Sequence, residues 1–372
     1  MCALRARSCP QSQRSPIIAT APGIQRNPPT PRGARAPLDG ADAGPILEVE
    51  GLVVAARGVR AALVDGVSFA LARGETLCIV GESGCGKSLT ALALMGLLPR
   101  PAVRVTGGHA RFAGRALFEM GDRELSDLRG DRIAMIFQEP MTSLNPAFRV
   151  GDQICETIVR HRGLGRAEAR ERALGLLRRV RIPAPEKRMD AYPHQLSGGM
   201  RQRVMIAMAL ANDPEVLIAD EPTTALDVTI QAQILELIAD LQRDAGTALI
   251  LVTHDLGVVA EVADRVAVMY AGRIVEQGPV EAIFEDPQHP YTVGLLGSLP
   301  SLGRREGRLA TIPGSVPPPS QWVQGCRFAS RCPLADPQCA LRQPALGEVA
   351  AGHAAACLRL PIDAHLHEIA TR

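Results

Sequence analysis

Gly81-Glu82-Ser83-Gly84-Cys85-Gly86-Lys87-Ser88 is the stretch that decides the fold of this chain. It fits the pattern G-x-x-x-x-G-K-[ST], in which the backbone N–H groups of a glycine-rich loop surround phosphate groups. The apolar run 76–80 precedes it and the helix-forming run Leu89–Leu98 follows it, which is the context that the motif requires. The sequence therefore predicts a site for a nucleoside triphosphate, with contacts from Gly81 to Leu89.

Two residues of this loop carry the chemistry. Lys87 supplies a positive charge for the β- and γ-phosphates, and Ser88 offers a hydroxyl group to Mg²⁺. The positive end of the following helix adds to the attraction for anions. A chance glycine turn before a helix is the alternative, but lysine and serine both stand where the motif requires them. Cys85 is interpreted as a neutral filler of the loop.

The composition of the 372-residue chain allows a packed core and restricts its partners. Hydrophobic residues make up 46% and aromatic residues only 3%, so aliphatic side chains must fill the core. The net charge is +2, but residues 1–45 are Arg-rich and the remainder is slightly acidic. No basic face is implied, so nucleic acid is not an expected partner. The apolar runs fall short of the roughly 20 residues of a membrane span, and the chain is not expected to cross a bilayer.

Three segments follow from the patterns along the chain. Residues 1–45 are rich in Pro, Arg and Ser without periodicity, which predicts a disordered leader. Residues 46–285 alternate short apolar strands with helices, which is typical of an α/β domain with a largely parallel sheet. Within them, residues 145–195 show helical patterns and predict a helical insert. Prolines become frequent beyond about 286, so we place a small C-terminal module at 286–372.

A second apolar strand ends in two carboxylates. Residues 216–219 are Val-Leu-Ile-Ala, followed by Asp220 and Glu221. Parallel α/β sheets place ligand groups at the carboxyl ends of their strands. We therefore predict that Asp220 holds Mg²⁺ and that Glu221 accepts a proton from the water that attacks the γ-phosphate. The alternative is an acidic cap before the turn at Pro222, and the phosphate loop argues against it.

The segment Leu196–Arg203 contains a third motif, in which Ser197, Gly198 and Gly199 precede a helix. The start of a helix is a further anion site, because its unpaired N–H groups and its dipole attract negative charge. One nucleotide does not need two such sites from one chain. The simplest interpretation is that these three residues face a nucleotide held by a second subunit.

Taken in order, these motifs resemble the nucleotide-binding domain of ABC transporters over residues of about 46–285. The resemblance rests on the phosphate loop, Gln138 after the strand 133–137, the segment 196–203, the strand with its two carboxylates, Asp227 within Thr224-Ala225-Leu226-Asp227, and His254 after the strand 248–252. It implies an α/β fold, a P-loop NTPase of ABC type with an antiparallel β subdomain, a helical insert and a small irregular C-terminal cysteine module. It also implies that the chain binds ATP and hydrolyses it.

The resemblance implies a role for each matching residue. Gln138 contacts Mg²⁺ and the attacking water, and it signals to the membrane subunit through the helical insert. Residues 197–199 bind the γ-phosphate of the opposite subunit, and Asp227 belongs to a loop that signals across the dimer. His254 contacts the γ-phosphate and holds Glu221 in place. Amide and imidazole groups suit these roles, because they orient water or donate to a phosphate oxygen.

One departure from the family pattern concerns adenine. Family members usually stack adenine on an aromatic residue that would fall near Val54–Arg57, but this stretch contains none. Base–aromatic stacking is worth roughly 1–3 kcal/mol. We therefore expect weaker or differently organised adenine binding, with Arg57 as an alternative stacking partner.

Three further segments resemble the oligopeptide/dipeptide group of ABC importers: Glu139–Pro146 (EPMTSLNP), His289–Thr292 (HPYT) and Gly325–Pro333 (GCRFASRCP). This implies an ATPase subunit that energises the import of di- or oligopeptides from the cytoplasmic face of the cell (inner) membrane, as a peripheral protein. The implied partners are a second ABC ATPase subunit in a heterodimer, two transmembrane permease subunits and an extracytoplasmic peptide-binding protein.

Four cysteines gather near the C-terminus: Cys326, Cys332, Cys339 and Cys357, with five, six and seventeen residues between them. Thiolates at such spacing can coordinate a metal and so order a short irregular segment. The C-x₂₋₄-C pairs of zinc sites are missing. The resemblance favours a [4Fe–4S] cluster, because some peptide-importer ATPases similar to this chain carry one in this region. Zinc and free buried thiols remain alternatives, and His353 is a rival to Cys357 as the fourth ligand.

Two other functions stay open on the sequence alone. The same motor could energise the transport of nickel, glycosides or another small solute. A soluble ABC-type ATPase that acts on ribosomes or DNA is a further alternative. Such proteins usually carry two nucleotide domains or a long coiled-coil insert, whereas this chain has one phosphate loop and a short helical insert.

Overall fold

The computed structural model describes residues 44–139, 143–223, 228–298, 312–322 and 324–362. The leader predicted for residues 1–45 therefore lies almost entirely outside the described residues. The described strands are β1 (Leu47–Ala56), β2 (Val64–Leu71), β3 (Thr76–Val80), β4 (Val103–Phe112), β5 (Arg115–Ala116), β6 (Ile133–Ile136), β7 (Val216–Asp220), β8 (Ala248–Thr253), β9 (Arg265–Tyr270), β10 (Arg273–Pro279), β11 (Gly347–Ala350) and β12 (His353–Ala355).

The described helices are α1 (Lys87–Leu94), α2 (Asp122–Leu128), α3 (Val150–Arg162), α4 (Arg166–Arg179), α5 (Pro185–Met189), α6 (Gly198–Ala209), α7 (Val228–Ala245), α8 (Leu256–Val262), α9 (Val280–Glu285), α10 (Pro290–Gly297) and α11 (Pro337–Leu341). Three of them, α3 to α5, occupy the segment predicted as a helical insert. Their apolar positions face a shared core, and Ile154, Ala173 and Leu177 are each fully buried.

A large sheet forms the centre of the fold, with the strand order β11-β12-β10-β9-β3-β8-β7-β6. From β9 to β6 all neighbouring strands run parallel. Every residue of β3, β7 and β8 is buried, which is typical of strands covered on both faces. The predicted parallel sheet is confirmed, and the carboxyl ends of its central strands meet at one edge.

A smaller antiparallel sheet with the order β2-β1-β4-β5 packs beside it. Its longest strands are β1 and β4, and β4 runs from Val103 to Phe112. Here Gly108 sits in a bulge of β4 with φ +83°, where a Cβ atom would lie 2.4 Å from the Gly51 carbonyl oxygen.

The C-terminal segment shares the core of the α/β domain. β12 pairs with β10, and β11 pairs with β12, so the segment extends the main sheet by two antiparallel strands. The rings of Tyr291 and Phe328 pack against Tyr270 on β9, with centroids 4.7 and 5.1 Å away. Residues on both sides of the composition change near residue 286 therefore contribute to one hydrophobic core. The domain bounds given above remain predictions.

Candidate functional site

The phosphate loop connects the buried strand β3 to α1, which begins at Lys87. Its glycines adopt backbone conformations that other residues avoid, with φ +150° at Gly81 and +104° at Gly86. The loop also runs very close to β9, since a Cβ atom on Gly81 would lie 2.1 Å from the Met269 carbonyl oxygen. The shape of the loop therefore depends on glycine at these positions and on the strand beside it.

The Lys87 ammonium group lies inside this loop. Lys87 is only 4% exposed, and its Nζ donates to the carbonyl oxygens of Gly81 at 2.7 Å and Glu82 at 3.0 Å. A charge in this environment interacts strongly with anions, because little water screens it. The position suits the predicted contact between Lys87 and phosphate oxygens.

The two oxygen groups predicted to bind magnesium meet at the edge of the sheet. Ser88 Oγ donates to Asp220 Oδ1 at 3.0 Å. Asp220 is 4% exposed, and burial raises the pKa of its carboxyl group above the ordinary value, with the neighbouring Glu221 adding to the effect. Hydroxyl and carboxylate oxygens are the hard ligands that Mg²⁺ prefers, so this pair could hold the cation.

Glu221 is contacted on two sides by the other predicted catalytic residues. Gln138 Nε2 donates to its Oε2 at 3.0 Å, and His254 Nδ1 lies 3.5 Å from its Oε1. Gln138, Glu221 and His254 follow β6, β7 and β8, which are adjacent parallel strands, so the sheet brings them together. A carboxylate in this setting can accept a proton from water while the amide and the imidazole orient it.

The backbone of Glu221 is in the left-handed region, with φ +43°. A residue with a side chain rarely adopts this conformation, which costs of order 1–3 kcal/mol. The Glu221 N–H donates to the Val252 carbonyl on β8 at 2.9 Å. The main chain and two neighbouring side chains therefore both determine where this carboxylate points.

The motif predicted to face a second subunit lies at the start of α6. Ser197 caps the helix, and its Oγ accepts a hydrogen bond from the Met200 N–H at 3.4 Å. The two glycines after Ser197, Gly198 and Gly199, begin the helix itself. One turn later, Gln202 Nε2 donates to the carbonyl of Pro222, directly after Glu221. Asp227, the predicted signalling residue, lies outside the described residues.

The four C-terminal cysteines do not support the predicted iron–sulfur cluster. Across the described ranges, no group of three or more His, Cys, Asp or Glu side chains is placed to hold a metal ion. Cys326, Cys332, Cys339 and Cys357 all lie within these ranges as free thiols. Burial raises the pKa of the Cys332 thiol to about 12 and that of the Cys357 thiol to about 11.

His353, the rival fourth ligand, is engaged elsewhere. Its Nε2 lies 2.8 Å from Glu276 Oε1 in a buried pair. The zinc alternative therefore finds no ligand group among the described residues either.

Sequence reasoning missed two contacts with the phosphate loop. The Tyr291 hydroxyl accepts a hydrogen bond from the Glu82 N–H at 2.8 Å. The Arg331 guanidinium pairs with the Glu82 carboxylate through two hydrogen bonds of 2.9 and 3.1 Å. Both residues belong to segments interpreted only as markers of the oligopeptide group. The aromatic and basic residues of those segments were the sequence feature that could have indicated these contacts, because aromatic residues make up only 3% of the chain.

The site defines a nucleoside triphosphatase with a phosphate loop. A buried lysine lies in a glycine loop, beside a hydroxyl–carboxylate pair at the carboxyl edge of a parallel sheet. Within this class, the glutamine and histidine that flank Glu221 and the second anion-attracting helix start at Ser197 distinguish the ATP-binding subunits of ABC transporters.

Comparison with known sequences agrees with this class. Residues 64–224 match the family model "ABC transporter", and residues 275–339 match the model "Oligopeptide/dipeptide transporter, C-terminal region". The chain is 58% identical over 297 residues to a probable peptide ABC transporter ATP-binding protein of Sinorhizobium fredii, covering 80% of this chain and 89% of the relative. It is 56% identical over 270 residues to the dipeptide transport ATP-binding protein DppD of Bacillus subtilis, covering 73% and 81%.

A solved structure with the same fold is the ATP-binding cassette MJ0796, a dimer in a post-hydrolysis state with ADP and phosphate. It is 28% identical, with a TM-score of 0.56, over 63% of this chain and 98% of the other. The chain belongs to the ABC transporter family, in the group with the oligopeptide/dipeptide transporter C-terminal region. It is an ATPase of that family, and such ATPases use ATP together with Mg²⁺.

The region predicted to lack an adenine platform lies beside a cavity of about 310 Å³. Ala55, Ala56 and Arg57 line it together with Pro101, Ala102, Arg104 and Thr106. The Arg57 side chain is exposed, so its guanidinium is available as an alternative to an aromatic ring. No aromatic side chain lines this cavity.

We expect Ala56→Tyr to raise the affinity for ATP about tenfold or more, because a stacked ring is worth roughly 1–3 kcal/mol. The dissociation constant can be measured by isothermal titration calorimetry. Ala56→Leu is the matched control, since it adds bulk without an aromatic face and should gain much less. Equal affinities of the tyrosine and leucine variants would contradict the prediction.

Proposed function

We propose that this chain is the motor subunit of a peptide importer, which hydrolyses ATP to drive the uptake of di- and oligopeptides. The observation that carries the proposal is the joining of two features in one chain. One is the group Gln138–Glu221–His254 at the phosphate loop, and the other is a segment matched by the oligopeptide/dipeptide transporter model. Relatives named as dipeptide and oligopeptide transport proteins, at 54–56% identity, add support.

The loop 81–89 surrounds the triphosphate in this proposal, and Lys87 contacts its β- and γ-phosphates. Ser88, Gln138 and Asp220 would hold the Mg²⁺ ion, which neutralises charge on the phosphates when it is bound. The short distance between Ser88 Oγ and Asp220 Oδ1, 3.0 Å, supports this assignment.

Glu221 accepts the proton of the attacking water, and Gln138 orients both that water and the carboxylate. His254 supports Glu221 from the other side and donates to the γ-phosphate. Proton acceptance by a positioned carboxylate typically contributes 10²–10⁴-fold to a rate.

A second ATPase subunit completes the site in our proposal. Residues 197–199 of each subunit bind the γ-phosphate held by the other, and Asp227 signals across the contact. The hydrogen bond from Gln202 to the Pro222 carbonyl links this helix to the strand end that carries Glu221. The solved relative MJ0796 is a dimer. The partner is expected to be a similar but distinct chain, which makes a heterodimer.

One of the two permease subunits would bind the groove between β6 and the helical insert of this chain, and the other would bind the partner ATPase. The groove has a volume of about 570 Å³ and is lined by Leu97, Phe137, Glu156 and His161 among others. Leu97 and Phe137 are each 38% exposed, and apolar side chains left exposed in a groove favour a protein partner. Phe137 directly precedes Gln138, so a partner in the groove lies one residue from the Glu221 contact.

The chain would therefore act as a peripheral protein on the cytoplasmic face of the cell membrane, with an extracytoplasmic binding protein delivering the peptide. Among the helices of the described residues, none has both the length and the apolar character for a membrane span. The permeases would provide the passage across the bilayer.

We expect a strain that lacks only this chain to lose the uptake of labelled di- and oligopeptides, which is measured by accumulation in whole cells. The wild-type gene should restore uptake, and a Glu221→Gln copy should not. Unchanged peptide uptake would contradict the proposed cargo. Loss of nickel or glycoside uptake in the same strain would then identify the alternative cargo.

A further inference from the structure

Every polar group of Glu82, the second residue of the phosphate loop, makes a hydrogen bond. Its N–H donates to Tyr291 Oη at 2.8 Å, and its carbonyl oxygen accepts from Lys87 Nζ at 3.0 Å. Its two carboxylate oxygens accept from the two terminal nitrogens of Arg331, at 2.9 and 3.1 Å. The last of these contacts is an ion pair, which compensates the charge of the Glu82 carboxylate.

Arg331 is itself fixed from several sides. Its side chain is only 6% exposed, and its Nε donates to the Pro313 carbonyl at 2.9 Å. One terminal nitrogen also donates to the Gly314 carbonyl at 3.1 Å. The guanidinium lies 5.7 Å from the centre of the Tyr270 ring, which favours a cation. A planar guanidinium that makes a bidentate contact positions a carboxylate more firmly than a lysine ammonium group would.

A second arginine of the same segment supports the loop from behind. Arg327 donates to the Ala271 carbonyl and pairs with Asp65, and its guanidinium lies 4.1 Å from the Trp322 ring. The adjacent Gly272 N–H donates to the Cys85 carbonyl of the phosphate loop at 2.8 Å. Residues 325–333 therefore reach the loop directly through Arg331 and indirectly through the turn between β9 and β10.

The charge of Glu82 gives this contact a consequence for nucleotide binding. The Glu82 side chain is 27% exposed, so water screens its charge only in part. An unpaired carboxylate in a loop that receives a triphosphate would repel it. Arg331 compensates that charge and removes the freedom of the Glu82 side chain. Two of the three tyrosines and the only tryptophan of the chain pack around these arginines.

We propose that Arg331 is a positioning residue for ATP binding, through which the C-terminal segment sets the charge and conformation of the phosphate loop. Arg331 acts through Glu82 and does not itself contact the nucleotide. The inference does not depend on the cargo, since it concerns a property of the ATPase alone.

Four full-length variants test the proposal by calorimetric titration with MgATP. Arg331→Met keeps the packing on Tyr270 but removes the charge, and it should weaken ATP binding about tenfold or more. Adding Glu82→Gln to Arg331→Met should restore affinity to within about threefold of Glu82→Gln alone, because the uncompensated charge is gone. Arg342→Met, at an exposed arginine of the same segment, is the matched control and should bind ATP like the wild type.

A purely structural role predicts a different pattern, in which the second substitution fails to restore affinity. That result, or wild-type affinity in Arg331→Met, overturns the proposal. Thermal unfolding of each variant shows whether it is folded before titration. If Arg331→Met does not fold, Arg331→Lys provides the test, since it keeps the charge but not the two-pronged contact. It should lose at least about threefold in affinity, and unchanged affinity in that variant overturns the proposal.

Discussion

Replacing Glu221 with Gln is expected to lower kcat for ATP hydrolysis by about 10²–10⁴-fold, the usual contribution of a positioned general base. The amide is nearly the same size as the carboxylate but cannot accept the proton of the attacking water. Gln138 and His254 flank Glu221 at 3.0 and 3.5 Å, so the side chain stays confined and the loss reflects chemistry. Phosphate release by the assembled transporter at saturating MgATP measures it.

Binding and hydrolysis should separate in this variant. The affinity for ATP is determined mainly by the phosphate loop, and it should change by less than about threefold in Glu221→Gln, which is under 1 kcal/mol. Glu171→Gln, at an exposed glutamate on α4, is the matched control and should retain wild-type kcat. A Glu221→Gln enzyme that keeps more than about a tenth of the wild-type kcat would contradict the role of Glu221.

Replacing Gly81 with Ala is expected to lower the free energy of unfolding by about 4 kcal/mol, through two additive causes. A residue with a side chain is strained by about 1–3 kcal/mol at the φ of Gly81, +150°. The added Cβ atom would also lie 2.1 Å from the Met269 carbonyl oxygen, and overpacking of this kind costs about 1–3 kcal/mol. Chemical denaturation without nucleotide measures the loss.

Gly84 offers a control within the same loop. It also has a positive φ, +79°, but a Cβ atom there meets nothing within 4 Å. Gly84→Ala should therefore cost only about 1–2 kcal/mol from the left-handed conformation. Equal losses in the two variants would show that the contact with Met269 does not limit the loop. Nucleotide affinity should also fall further in Gly81→Ala, because the loop must shift away from β9.

Local patterns predicted the parallel sheet and the strand ends that carry the chemistry. Each of β3, β6, β7 and β8 is a short and largely apolar run, and buried parallel strands have this signature. Since such strands align their carboxyl ends, residues that follow them must meet. The contact of Ser88 with Asp220, at 3.0 Å, is a consequence of that rule.

Contacts that depend on irregular segments could not be predicted in the same way. The C-terminal segment has no periodic pattern, so nothing local indicates that His353–Ala355 adds a strand beside β10. The cysteine spacing and the family resemblance predicted a cluster, but in the part of the chain that the structure describes no group of three or more His, Cys, Asp or Glu side chains is placed to hold a metal ion. The bulge at Gly108 could not be predicted from the sequence either, because a glycine occurs both in bulges and at strand ends.

The sequence by itself determined that this chain binds a nucleoside triphosphate, because the phosphate loop and the strand-end carboxylates are local features whose geometry follows from the residues around them. Only the tertiary structure decided that Glu82 within that loop is paired with Arg331, 249 residues further along the chain. An ion pair between distant segments depends on how the intervening chain packs. No pattern within either segment specifies that packing.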